Sequence, residues 1–342
     1  MIEYNNIKEL HLELATLCNA ACPQCPRNFN GYPHNDGYPE TAMTLEQAKT
    51  MFKPDFVKQL RAILINGNFG DIVMCPEGAD IVEYFKECNP ALAITISTNG
   101  GARETDFWVR LAKAGTEITF CIDGVESTHS LYRQNTLWKT VIKNAQIFIG
   151  AGGHAIWKTI KFKHNEHEIE EMKQLRVDLG FKGFELITVG RDTGPVFNKN
   201  KELTHVLGDY TGPTDWQTLF IDQRSEERTV ENTAPRFNLD ETEVDLSDCD
   251  TLVHDRIYVA ANGEVAPCCF TGFYPATFGK YSYMQAVNSQ LIPLIENNNA
   301  LEHPLEETVQ WFKKIEEKWK IDTYSNGRLL VCDEFCGKCK NN

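Results

Sequence analysis

The stretch Ile7 to Cys25, IKELHLELATLCNAACPQC, begins as a strand and ends as a group of thiols. Ile7 to Leu14 alternates apolar and polar residues well enough for a strand, and Cys18, Cys22 and Cys25 follow with the spacing C-x3-C-x2-C. The polar, Gly- and Pro-rich segment Asn28 to Pro39 comes next, so the thiols belong to a loop at a strand end and not to a helix face. Soft thiolate ligands select zinc or an iron-sulfur cluster. A closed structural zinc site takes four ligands, whereas a cubane cluster held by three cysteines keeps one iron open to an outside ligand. Three neighbouring cysteines therefore favour a reactive iron-sulfur centre over a zinc knuckle or three unrelated thiols.

Outward from this loop the chain alternates. Thr44 and Gln47 have the capping-box spacing, with apolar Leu45, Ala48, Met51 and Phe52 behind them, and predict a helix interrupted near Pro54. Arg61 to Asn66 (RAILIN) reads as a buried parallel strand. Ala79 to Cys88 reads as a helix, Leu92 to Thr98 as a strand ending in Asn99-Gly100-Gly101, Glu104 to Ala114 as a helix and Glu117 to Ile122 as a strand ending in Asp123-Gly124. Leu137 to Gly150 is a helix, His154 to Phe162 a strand, Glu166 to Leu179 a helix closed by Gly180, and Gly183 to Val189 a sixth strand. Such alternation predicts an α/β fold, a parallel sheet curling toward a partial (β/α)6 barrel with its chemistry at the C-terminal ends of the strands. Gly67-Asn68-Phe69-Gly70-Asp71 stands at one of those ends. Its glycines let the backbone approach a ligand, and its acid can accept from an ammonium group.

The 342 residues suffice for one large domain and a smaller one. A hydrophobic fraction of 42% and a charged fraction of 24% are those of a globular protein. The net charge of -14 argues against a broad phosphate-binding face, so no nucleic-acid partner is expected. MIEYNNIKELHLEL lacks the pattern of a secretory leader, and no long apolar run offers a membrane span; the expectation is a cytoplasmic protein. Of the 12 cysteines, Cys75, Cys88 and Cys121 are isolated and read by default as small buried hydrophobes, while Cys249, Cys268, Cys269, Cys332, Cys336 and Cys339 gather near the C-terminus.

Between Gly190 and Asp248 the repeat stops in favour of Thr, Asn, Asp and Pro, which predicts a linker and lid-like region. Arg256 to Ala260 and Glu264 to Pro267 then flank Asn262-Gly263, a hairpin signal that would bring Cys249 near Cys268. Two apolar-periodic helices, Tyr283 to Asn297 and Leu305 to Trp319, precede the final thiols.

The thiol spacing after a first strand resembles the radical S-adenosylmethionine (SAM) superfamily. That resemblance implies a [4Fe-4S] cluster on Cys18, Cys22 and Cys25, with SAM on its open iron. The residue before the third cysteine is often aromatic in the family and is Gln24 here. Gly67 to Asp71 resembles the family's Gly-Gly-Glu-Pro motif, with Asp71 for Glu and Ile72 for Pro, and implies that Gly67, Asn68, Phe69, Gly70 and Asp71 meet SAM. The run CIDGVESTHSLYR looks like a stretch of family members with cysteine-rich C-terminal domains. It implies Arg133 at the SAM carboxylate and Cys121 near the ribose, with Asn99 a further rim candidate. The C-x13-G-x4-C run with a late C-x2-C resembles the twitch domain and implies one auxiliary [4Fe-4S] cluster on Cys249, Cys268, Cys336 and Cys339. Cys269 and Cys332 remain alternates, and four thiolates also suit structural zinc.

The expected organisation is a barrel over residues 1–190, a linker over 191–248 and a small α+β cysteine-rich twitch domain over 249–342. The implied activity is reductive cleavage of SAM to a 5'-deoxyadenosyl radical that takes hydrogen from a peptide or small molecule. Flavodoxin or ferredoxin is the implied kind of electron donor. The competing expectation is a non-catalytic iron-sulfur or zinc protein.

Overall fold

The computed structural model describes residues 2–33, 38–188, 194–219, 242–244, 249–276, 287, 289–321, 323 and 325–339. Six parallel strands form the frame: β1 (Glu9–Leu12), β2 (Ala62–Ile65), β3 (Ala93–Thr98), β4 (Glu117–Cys121), β5 (His154–Ile160) and β6 (Gly183–Ile187), adjacent in chain order. Helices separate them. α1 (Leu45–Met51) starts at a Thr44/Gln47 capping box, and α2 (Pro54–Gln59) takes Pro54 at its first turn, where a missing N–H is tolerated. α3 (Gly78–Cys88), α4 (Thr105–Lys113), α5 (His129–Tyr132), α6 (Trp138–Gly150) and α7 (Ile169–Asp178) complete the set. The predicted α/β fold with a central parallel sheet is therefore present, with boundaries within a few residues of those expected.

One main apolar cluster joins strand residues Leu10, Ile63, Ile94, Ile118, Ala155 and Trp157 to helix residues such as Phe85, Trp108 and Phe148. In β3, Ile94, Ile96 and Thr98 are buried while Thr95 and Ser97 between them are only half-buried, the alternation of a strand with different environments on its two faces. The polar row is free to line a cavity.

The C-terminal hairpin joins this frame. β7 (Arg256–Val259) pairs parallel with β1, from Glu9 with Arg256 to Leu12 with Val259, and β8 (Val265–Ala266) pairs antiparallel with β7. Gly263 takes a φ of +89° in the intervening turn. The barrel sheet thus continues through β1 into the thiol-bearing C-terminal region. At its base Glu9 accepts from Arg61 Nε and Arg256 Nε, each at 2.9 Å.

The linker expectation fell on residues 191–248, of which 194–219 and 242–244 are described. Gly194–Phe197 and Leu203–Leu207 form an antiparallel hairpin there. Val196 and Leu207 pack against Ala20, Cys22, Tyr132, Ile160 and Phe162, so the hairpin covers the thiol loop. Phe197 and Leu219 cluster with Phe29. Of the expected helix Tyr283 to Asn297, residues 283–286 and 288 lie outside the described residues, and Ile292–Leu294 is a 3-10 turn. Leu305–Thr308, Val309–Trp311 and Phe312–Trp319 form successive helical segments over the second expected span. No helix among the described residues is long and apolar enough to cross a membrane.

Candidate functional site

A cavity of about 790 Å³ opens at the C-terminal ends of β2 to β5. Its lining includes Cys18, Cys22 and Cys25, together with Gly67, Asn68, Phe69, Gly70, Asp71, Asn99, Cys121 and Arg133. Every residue predicted to meet the first cluster or SAM therefore lines one cavity.

The thiol loop is held by hydrogen bonds. Cys25 N donates to Cys22 O at 3.1 Å, Asn28 Nδ2 to Cys22 O at 3.1 Å, and Ala21 N to Gln134 O at 3.0 Å. The sulfurs also receive donors: Ala20 N reaches Cys18 Sγ at 3.4 Å, Asn99 Nδ2 the same sulfur at 3.6 Å, and Arg133 Nη1 reaches Cys22 Sγ at 3.7 Å. Burial pushes the Cys18 and Cys22 thiols up, Cys22 to about 11, so without a metal both are neutral at pH 7. Among the described residues no group of three or more His, Cys, Asp or Glu is already closed around a metal position. The donor set nevertheless suits a soft-metal cluster: three thiols on one short loop, with N–H donors at two of the sulfurs.

Gly67 and Gly70 owe their identity to close packing. A Cβ at Gly70 would lie 1.8 Å from Ala15 O and 2.7 Å from Leu17 O, both backbone, and one at Gly67 would lie 2.6 Å from Gly70 O. Gly70→Ala should therefore displace this turn. We expect SAM binding to be lost with cluster iron retained, measured by anaerobic calorimetry and iron analysis.

Asp71 is buried and its carboxylate is occupied. Thr98 Oγ1 (2.6 Å) and Val73 N (3.1 Å) donate to Oδ1; Asn99 N (2.7 Å) and Asn99 Nδ2 (2.8 Å) donate to Oδ2. Burial raises its pKa, and the same hydrogen bonds pull the other way. Asp71 thus fixes Asn99, which in turn reaches the Asn19 side chain at 2.9 Å and Cys18.

Arg133 is placed by Asp123, whose side chain is fully buried. Arg133 Nε donates to Asp123 Oδ2 at 2.6 Å, and Ile160 N to Oδ1 at 2.6 Å. Burial alone would lower the pKa of the guanidinium; Asp123 reverses this and keeps Arg133 charged at the cavity wall. His129 is buried and pushed down to about 4 by burial and by Arg133, so it is neutral at pH 7 and bonds Thr136 Oγ1 at 3.0 Å.

Sequence reasoning missed Glu13. In β1's continuation it is 1% exposed, and its Oε1 accepts from Phe69 N (2.8 Å) and Gly70 N (2.9 Å) while its Oε2 accepts from Tyr258 OH (2.7 Å). Asn68 Nδ2 donates to Cys269 O at 3.0 Å. The glycine turn is thereby tied to the C-terminal hairpin through Tyr258 and to the start of the helix that follows it through Cys269. Glu13→Ala would leave two backbone N–H groups and a phenol without their acceptor, at about 1–3 kcal/mol for each buried group. A clear fall in melting temperature is expected, with a smaller fall for Glu13→Gln, which retains an acceptor.

At the other end Cys249 caps the helix Asp250–His254, Cys268 precedes the helix Cys269–Ala276, and Cys332 and Cys336 lie one turn apart on Leu330–Cys336. Burial raises the Cys332 thiol, and Cys268, Cys336 and Cys249 add to the effect, so these four sulfurs share one neighbourhood. Cys339 lies on Gly337–Cys339, its backbone opposite Thr242, and its side chain is outside the described residues. Cys75 and Cys88 are apart from both groups; Cys75 is a fully buried apolar filler whose Sγ reaches Met43 O at 3.3 Å.

No protein-family model matches the chain, and no curated protein matches it in sequence. Among solved structures it is similar to SuiB of Streptococcus suis bound to S-adenosylmethionine, with a TM-score of 0.53 and 15% identity over 89% of this chain and 65% of SuiB. SuiB bound to its precursor peptide SuiA gives 0.52 and 14% over 94% of this chain and 67% of that one. anSMEcpe with bound AdoMet, the same ligand, gives 0.53 and 14% over 96% of this chain and 87% of that one. The chain spans about two thirds of the length of SuiB. The fold is thus that of proteins solved with SAM bound.

Proposed function

We propose that this protein is a radical SAM enzyme, with a C-terminal twitch domain holding an auxiliary cluster on Cys249, Cys268, Cys336 and Cys339, that modifies a peptide or a small molecule in the cytoplasm. The observation that carries the reading is the convergence of three thiols and the predicted SAM-facing residues on one cavity. When bound, the cluster and SAM supply a one-electron cleavage that yields the 5'-deoxyadenosyl radical. The chain's own residues do the rest. Cys18, Cys22 and Cys25 would hold the cluster; Gly67 and Gly70 let the turn that would meet SAM pack closely on the protein's own backbone; Asp71 orients Asn99; Arg133, charged and braced by Asp123, would meet the SAM carboxylate. The hairpin Gly194–Phe197/Leu203–Leu207 over the thiol loop limits solvent access. A peptide substrate is supported by SuiB, solved with the precursor peptide SuiA. An electron donor such as flavodoxin or ferredoxin belongs to this reading.

Anaerobically purified protein should be brown, and SAM should alter the Mössbauer signal of one iron of the first cluster, the one without a cysteine ligand. A colourless zinc protein, or an iron signal indifferent to SAM, would overturn the proposal. Asp71→Ala removes the carboxylate that holds Asn99 and should weaken SAM binding without iron loss, through the lost positioning of Asn99. Calorimetry showing unchanged affinity would make Asp71 structural only.

A further inference from the structure

The cavity continues past the SAM-facing residues onto the polar row of the later strands. Cys121 of β4 is in lateral register with Lys158 of β5, and Lys158 with Glu185 of β6. Partners in register point to the same side of a sheet, so thiol, ammonium and carboxylate stand side by side. Ser97 Oγ joins the row 3.5 Å from Cys121 Sγ. Two cationic side chains are among the described residues that line the cavity, Arg133 and Lys158. Arg133 is already held by buried Asp123, and the other lining carboxylate, Asp71, has both oxygens occupied. Lys158 differs from both. It is paired with Glu185 at 3.2 Å, with the two side chains 35% and 48% exposed. An ion pair so open contributes at most about 1 kcal/mol to folding, and an ammonium has three donors to distribute.

We propose that Lys158 anchors the substrate by a carboxylate group, with Glu185 as the counter-ion that Lys158 keeps while the site is empty. This deepens the radical SAM reading and rests on it for the claim that the anchored molecule is the substrate. A carboxylate suits the site better than a phosphate. Lys158 and Glu185 cancel, so one added carboxylate, sharing the ammonium's donors, leaves the site at a net charge of -1, whereas a phosphate dianion would leave it at -2 beside Glu185, with Arg133 already committed to Asp123. The substrate is therefore an acidic small molecule or a peptide presenting an Asp, Glu or C-terminal carboxylate beside the C–H bond to be broken.

The test is anaerobic calorimetry of the full, iron-loaded chain with SAM, using N-acetylglycine as the carboxylate probe, N-acetylglycinamide as its neutral twin and inorganic phosphate as the alternative anion. N-acetylglycine should bind, and more tightly than either control. Lys158→Ala should weaken it by about ten- to a hundredfold, and Lys158→Arg should restore most of the affinity. Glu185→Gln should act in the opposite direction, tightening binding roughly two- to fivefold by removing the competing anion. A merely structural ion pair would make both variants weaker. Equal binding of acid and amide, preference for phosphate, or wild-type affinity in a folded Lys158→Ala would each overturn the proposal. SAM cleavage by the unaltered protein is assayed in parallel: its absence, with probe binding intact, would refute the radical reading and leave the carboxylate subsite standing.

Discussion

Replacing Cys18, Cys22 and Cys25 together by Ala should remove about four irons per chain and abolish SAM cleavage while leaving a folded protein. The expectation of folding comes from where these residues pack. They belong to a satellite cluster with Tyr132, Ile160, Phe162, Val196 and Leu207, whereas the main core is built from β1 to β8 and the helices without them. Loss of the thiols removes N–H acceptors for Ala20, Asn99 and Arg133, all of which line the cavity, where water can substitute. Iron analysis and circular dichroism read the two halves of the prediction. Unchanged production of 5'-deoxyadenosine by the triple variant would remove the basis of the radical SAM assignment.

The second large effect is expected at the C-terminal thiols. Changing Cys249, Cys268 and Cys336 to Ser should lower iron from about eight to about four per chain, with SAM binding retained and substrate turnover lost. Point variants are the right instrument. Val331, next to Cys332, is 2% exposed and belongs to the main core with Leu329 and Leu330, so removing the tail would damage that core as well as the metal site. Single Ser variants of Cys332 and Cys339 then assign the fourth ligand, because only loss of a true ligand lowers iron or changes the spectrum. Binding energy at a site absent from the unfolded chain is folding energy, so the same variants should loosen the helix Leu330–Cys336. Full iron in the triple variant would exclude these thiols as ligands, and zinc in the intact protein would replace the auxiliary cluster with a structural site.

The barrel was legible because its signals are local. Apolar runs such as RAILIN, the Thr44/Gln47 box and the glycines at strand ends each act within a few residues, and each appears where expected. The thiol loop was legible for the same reason. What was not legible depends on distant partners. Glu13 lay within the alternating run Ile7 to Leu14 with no role of its own, yet its oxygens accept from Phe69, Gly70 and Tyr258, the last 245 positions away. The parallel pairing of β7 with β1 joins Glu9 to Arg256 across nearly the whole chain, and no sequence period announces it. Asp123 stands in the run CIDGVESTHSLYR with no role legible from the sequence; its partners Arg133 and Ile160 N supply one. Lys158 lay inside the expected strand His154 to Phe162 with no role of its own; its place on the cavity lining supplies one.

The most direct measurement is anaerobic incubation of the iron-loaded protein with SAM and dithionite, followed by chromatography for 5'-deoxyadenosine. Formation of 5'-deoxyadenosine and methionine in equal amounts, dependent on the reductant and absent from the Cys18/Cys22/Cys25 variant, is the predicted result. Intact SAM after prolonged incubation with a protein shown to carry its full complement of iron and to bind SAM would contradict the account.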